Sequence, residues 1–303
     1  VVRGLWTFGG LIIQAEKTLF RVSRDFLAFH SPVFKDMLAF PTPKDADMMD
    51  GCPFVLLPDT AEDVTVFFKA LLHYDFFEPY PALTMLSILT GVLRMSHKYE
   101  VDALRKRELT HISAFHPTSL AGYQVLPAKP TGWLKELDGD FNEFPAMVVL
   151  ARQLSIDWIL PIVFYRMCES SWEEDLMTKH DRRMAINACR YLEGSCVSEM
   201  LAFLWPQGSV EGCIAKQDCD DSRLSSRRVA ELWRQRKKDG RVRLPFEIWE
   251  RDDWDRLDVC EECMSRLKAD HQAAMHSLWD RLPKIFGLPE WPELRKMKDD
   301  ALR

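Results

Sequence analysis

Leu19-Phe20-Arg21-Val22-Ser23-Arg24-Asp25-Phe26-Leu27-Ala28-Phe29-His30-Ser31-Pro32-Val33-Phe34-Lys35-Asp36-Met37-Leu38 is the run that decides how the first third of the chain folds. Residues 19–22 pair bulky apolar with polar positions, as a short strand does. Ser23 is placed to cap a helix running through Phe29. Ser31-Pro32 restarts another, because serine suits the N-cap and proline the first helical position. Val33, Phe34, Met37 and Leu38 share one face of that second helix, and Pro41 ends it.

Upstream, residues 5–8 and 11–15 form two more strand-like runs. The Gly9-Gly10 pair and residues 16–18 between the runs are turn-compatible, so a hairpin or small meander is expected. Downstream, a strand at residues 54–57 leads into the clearest helix of the chain. Asp59 or Thr60 caps it, and Glu62 and Asp63 occupy the first turn, where the helix dipole favours acids. Val64, Phe67, Phe68, Leu71 and Leu72 then recur as one amphipathic stripe. Two further helices read over residues 83–97, with Met85, Ile88, Leu89 and Val92 inward, and over 101–115, with Val101, Leu104, Ile112 and Phe115 inward. A few strands followed by about five helices is an α+β pattern with the strands gathered at the N-terminal end.

Order of elements and residues together resemble the BTB/POZ domain. Residues 19–38 look like its "F-x-a-H-k-x-v-L-a-x-x-S-x-y-F-x-x-M-f" signature. Val55-Leu56-Leu57-Pro58 with the helix after Thr60 is similar to its next strand and helix, and His97-Lys98-Tyr99-Glu100-Val101 with Leu104 to its "a-x-K-Y-x-v-x-x-L" segment. The likeness covers residues 1–116 and implies a BTB/POZ-like domain. Gln14-Ala15-Glu16 and Phe76-Phe77-Glu78 give it the flavour of the fungal, basidiomycete-type BTB group, whose second half is helical. Residues 156–166 and 286–291 resemble recurring segments there. Two positions depart from the signature: Ser23 stands where it has His, and Gly9-Gly10 where it has an acid. In the family those polar groups help organise the fold near the dimer face, so homodimerisation stays open.

The 303 residues are 47% apolar and 28% charged, which suits a globular chain able to bury a core. Forty basic against 46 acidic side chains give a formal net charge of −6, so the molecule as a whole is no electrostatic trap for nucleic acid. The apolar stretches fall far short of the roughly 20 residues of a membrane helix. Val1-Val2-Arg3-Gly4 shows neither an initiator Met nor a signal-peptide core, and reads as a trimmed or processed start. Cytoplasmic or nuclear localisation, no membrane, and eight cysteines held reduced are the expectations.

Residues 117–145, rich in Pro and Gly, read as a linker or irregular crossover. A mostly helical C-terminal domain is expected over 146–303, interrupted by a loop at 206–221. Its most pointed feature is cysteine spacing: Cys213-x5-Cys219, then Cys260-x2-Cys263 about 40 residues later. Four thiolates satisfy zinc's tetrahedral coordination, so a structural zinc staple is the candidate cofactor, with His271 as a substitute ligand. Four ordinary packed thiols are the alternative, and a redox dithiol is a third reading. Residues 223–243 carry nine basic side chains against two acidic ones, whereas residues 244–263 carry eight acids against two arginines. The basic block reads either as a nuclear-localisation or phosphate-contacting segment, or as a solvated helix neutralised by the acidic segment 244–263. The tryptophans of the last third are expected to fill a helical core.

No P-loop, H-E-x-x-H, dinucleotide glycine motif or G-x-S-x-G elbow occurs, and no catalytic residue is assigned. The resemblance implies a non-enzymatic scaffold or adaptor that works through protein partners, as in cullin-based ubiquitin ligases or transcriptional regulators. The alternative is a nucleic-acid-binding regulator that uses residues 223–243 and the cysteines.

Overall fold

The computed structural model describes residues 10–40, 48–82, 84–126, 143–169, 176–206, 208, 210–235 and 243–303. Gly10–Ala15 (β1) and Thr18–Ser23 (β2) form an antiparallel hairpin in register from Gly10 opposite Ser23 to Ala15 opposite Thr18. The strand expected at residues 5–8 lies outside the described residues. Arg24–His30 (α1) and Pro32–Ala39 (α2) follow. Ser23 and Ser31 cap them by accepting the N–H groups of Phe26 and Phe34. Met48–Met49 (β3) pairs antiparallel with Cys52–Leu57 (β4), which lies parallel to β1 with Ile12 opposite Phe54. The sheet order is β2-β1-β4-β3. A Cβ on Gly10 would lie 3.0 Å from the Cys52 Sγ and 3.3 Å from the Arg21 Nε, so close packing of three strands, not turn formation, explains that glycine.

Thr60 caps Ala61–Leu72 (α3), and Val64, Phe67 and Phe68 are buried as the periodicity requires. The buried arc centres on Phe67, so it takes in Ala70 and leaves Leu72, at the helix end, 38% exposed, against expectation. Leu86–Lys98 (α4) and Asp102–Phe115 (α5) complete the unit. Leu89, Val92, Leu104 and Ile112 are inward as expected, whereas Met85, Ile88 and Phe115 are half-buried. Ser31 joins the two ends of this unit. Its hydroxyl donates to the Tyr99 carbonyl at 2.5 Å, and the Phe34 ring stacks on Tyr99 at 4.5 Å. Tyr99 donates in turn to Asp59, which also pairs with Lys98 at 2.6 Å. Buried Glu108 accepts from Ser96 at 2.7 Å, and burial raises its carboxyl well above the usual range.

The described residues divide into two compact units: residues up to Phe115 with Asp300–Arg303, and His116–Leu126 with the chain on to Asp299. The linker expectation for 117–145 is corrected at both ends. Ser119 caps Leu120–Gln124 (α6) through the Gly122 N–H, and Leu120 and Tyr123 are buried. Glu143–Leu154 (α7) already spans Pro145, which sits in the helix's opening turn, where a missing N–H costs nothing. Residues 127–142 lie outside the described set.

The second unit continues with Leu160–Met167 (α8), nearly all buried, Lys179–Tyr191 (α9) and Val197–Met200 (α10). Lys216–Gln235 (α11), Arg251–Arg256 (α12), Glu261–Ile285 (α13) and Trp291–Leu302 (α14) follow. Of the tryptophans expected in its core, Trp249, Trp279 and Trp291 are buried, Trp254 is half-buried and the Trp233 side chain lies outside the described residues; Trp279 stacks on Trp291 at 4.7 Å. Cys168 and Cys189 are joined in a disulfide, which corrects the expectation of eight reduced cysteines. Folding brings the end of α8 to α9 across 21 residues, a proximity that spacing alone does not encode. No helix of the described residues is long and apolar enough to cross a membrane.

Candidate metal centre

Two helix starts bring the four cysteines together. Cys260 is the N-cap of α13 and Cys263 lies in its first turn, so the C-x2-C spacing places both thiols at one helix N-terminus. Cys219 lies in the first turn of α11, whose start at Lys216 shortens the loop expected over 206–221. Cys213 arrives from a turn in which its N–H bonds to the Val210 carbonyl and Gly212 adopts φ +81°. Only glycine takes that conformation without strain, and a Cβ there would also meet the Glu262 Cγ at 3.1 Å. At the start of α13 the N–H groups of Cys260 and Cys263 face sulfurs at the positive dipole end, which favours thiolates there.

All four sulfurs lie within 4.8 Å of one another. A tetrahedron with metal–sulfur bonds of about 2.3 Å has sulfur–sulfur edges of about 3.8 Å, so small rotations close the set around one ion. The Cys260 N–H donates to the Cys219 Sγ at 3.3 Å. The Cys263 N–H holds the Cys260 thiol below its usual range. For Cys219, that donated N–H pulls the thiol down, but burial and the neighbouring thiols leave it above its usual value. Burial raises Cys263 most strongly. Deprotonating all four without a cation would crowd negative charge, and a soft divalent ion removes that conflict. Four thiolates fill a tetrahedral ion's coordination and leave no position for a reacting water.

His271 is not part of the cluster. Its ring packs between Phe203 at 5.1 Å and Trp254 at 5.5 Å, and burial pushes its pKa down to about 4. The half-buried ring belongs to this aromatic cluster and not to the sulfurs, so His271 is not the substitute ligand.

The basic block is only partly described, since Arg236, Lys237, Lys238 and Arg241 and the Arg234 side chain lie outside the described residues. Among the described ones, Arg223 is buried and donates to the carbonyls of Phe203 and Trp205. Arg227 donates to the Leu201 carbonyl and lies over the Trp205 ring at 4.7 Å. Their ion-pair partners, Asp220 and Glu231, are on α11 itself, at i,i+3 and i,i+4 spacing. For Arg223 and Arg227 the neutralising acids are therefore local, not those of residues 244–263.

Two further features were not legible from spacing. A groove of about 980 Å³ opens among α10, α11 and α13, with Phe203 and Leu267 in its lining and Glu199, Glu211, Glu262 and Asp270 around it. A polar network centres on Glu247, in the turn Pro245–Glu247. Tyr123 and Tyr165 both donate to its carboxylate, the latter at 3.0 Å, and Arg166 lies 3.8 Å away. Burial pushes the Glu247 carboxyl up to about 7, against the opposing pull of Arg166 and the two phenols. The Tyr165 hydroxyl also accepts the Phe246 N–H at 2.9 Å, which fixes the turn on α8.

No family model matches the chain, and no curated protein or solved structure matches it.

Proposed function

We propose that this chain is a non-enzymatic protein–protein interaction module of BTB/POZ type, an adaptor or scaffold, whose helical second unit is stapled by a zinc ion on Cys213, Cys219, Cys260 and Cys263. The observation that carries the reading is the tie between Ser31 and Tyr99. These residues belong to the two segments, 19–38 and 97–104, on which the resemblance rests. Their direct contact is consistent with both segments serving one domain. The all-thiolate donor set supports a structural ion over a catalytic one. Arg223 and Arg227 are spent on backbone carbonyls and nearby acids, which weighs against the nucleic-acid reading.

Native mass spectrometry of the full chain, alone and with a purified cullin, tests the proposal. One zinc per chain together with a dimer or a cullin complex is the expected result. A metal-free chain overturns the staple, and a monomer that leaves the cullin unbound overturns the BTB-type reading. Retention on duplex DNA that falls steeply with added salt would replace it with the nucleic-acid alternative.

A further inference from the structure

Helix α11 is seated by its polar side. Cys219, Arg223 and Ala230 are its buried residues among those whose side chains are described, and they form one stripe at helical spacing. Leu224, Val229 and Leu232 lie on the other side, 38%, 43% and 54% exposed. A surface helix ordinarily holds to its domain by an apolar stripe; among the described side chains of residues 216–232, the inward stripe contains no large apolar one.

Among the described residues, what remains to seat the helix is narrow. Arg223 and Arg227 bond to the carbonyls of Leu201, Phe203 and Trp205, and Arg227 covers the Trp205 ring. Hydrogen bonds from desolvated cations give back much of their gain as lost hydration. The other attachment is Cys219, which the cluster links to Cys260 and Cys263 at the start of α13. That helix has its own anchors: Leu267, Met275, Leu278, Trp279 and Leu282 are buried, and Trp279 stacks on Trp291. The cluster therefore joins a helix anchored by large apolar side chains to one whose described residues, 216–232, hold through Cys219, Ala230 and polar contacts.

We infer that a divalent, thiolate-preferring metal ion on Cys213, Cys219, Cys260 and Cys263 is the clamp that seats α11, and that its removal frees α11 while α13 stays packed. The inference rests on the zinc reading and adds a consequence to it. Binding free energy at a site assembled only in the folded state is folding free energy, and this site spends it where packing is weakest. Occupancy would then control access to the Leu201–Trp205 carbonyls and to the groove beneath Arg223.

Hydrogen exchange of the zinc-loaded full chain, with and without a high-affinity chelator, tests this. Degassed thiol-free buffer preserves the Cys168–Cys189 bond. Amides of residues 220–231 should lose at least ten-fold protection on chelation and regain it when zinc is returned, while amides of 267–282 keep theirs. Cys263→Ser, which changes no residue of α11, should deprotect α11 as much as Cys219→Ser. Zinc bound at one per chain with α11 unchanged on chelation overturns the clamp and leaves the metal site standing. Equal loss of protection in α11 and α13 also overturns it, because the ion would then staple the whole unit. Deprotection by Cys219→Ser alone would assign the seating to that side chain's packing. A chain that binds no metal overturns the clamp and the zinc reading together.

Discussion

The Ser31 hydroxyl donates to the Tyr99 carbonyl at 2.5 Å while accepting the Phe34 N–H at 3.1 Å, so one side chain both caps α2 and ties it to a position 68 residues later. Ser31→Ala removes a cap and leaves a buried carbonyl without its donor. The expected loss is about 2–3 kcal/mol, read as an earlier melt of the first unit. A change below ~0.5 kcal/mol would show that the tie contributes nothing.

Replacing Cys260 and Cys263 by Ser should take bound zinc from one per chain to none and lower the melting of the second unit. The first unit, which holds none of the four thiols, should melt as before. An unchanged two-unit melting profile argues against a staple.

The raised carboxyl of Glu247 makes a signed prediction. Its folded pKa of about 7 exceeds the ordinary 4.5, so the folded state binds more protons between those values. Stability from this group is fully present below pH 4.5 and declines as pH rises toward 7, by on the order of 1–3 kcal/mol. Denaturant melts of Glu247→Gln against the parent chain from pH 4.5 to 7.5 should differ most in slope across that window. Parallel curves would refute the assignment.

His271 acts in the opposite sense. With its folded pKa at about 4, below the ordinary 6.5, its contribution is intact above pH 6.5 and is lost as pH falls toward 4. His271→Phe should keep the metal stoichiometry of the parent and lose less stability on acidification. Loss of bound zinc in that variant would return His271 to the ligand set.

Thiol counting tests the Cys168–Cys189 bond. Of the eight cysteines, six should react in unfolded, unreduced protein and eight after reduction. Reduction should cost the second unit about 3 kcal/mol through the entropy of the freed loop. Eight reactive thiols before reduction would mean that the pair is not bonded.

Local chemistry was the legible part of this chain. Ser23, Ser31-Pro32 and Thr60 announce three helix starts because a cap acts within four residues, and Cys260-x2-Cys263 announces a ligand pair for the same reason. Relations set by tertiary proximity were not legible. Nothing near Cys168 points to Cys189, and His271 has suitable spacing for a ligand until Phe203 and Trp254 enclose it. Arg223 reads as a solvated charge, yet it is buried because carbonyl oxygens from residues 203 and 205 face it. The helix Leu120–Gln124 was hidden by the Pro and Gly content around it, although Ser119 carried the cap signal.

The parallel pairing of β1 with β4 sets the order in which the first unit can form. Ile12 must find Phe54, and Ser31 must find Tyr99, before the sheet and α2 are complete. Contacts this distant in sequence slow folding, because each loop must close before its pairing contributes. During synthesis the β1–β2 hairpin can form early, but its inner edge must wait for residues 54–57 to emerge. The closing hydroxyl must wait for residue 99, so the nascent unit stays incomplete until nearly all of it has left the ribosome.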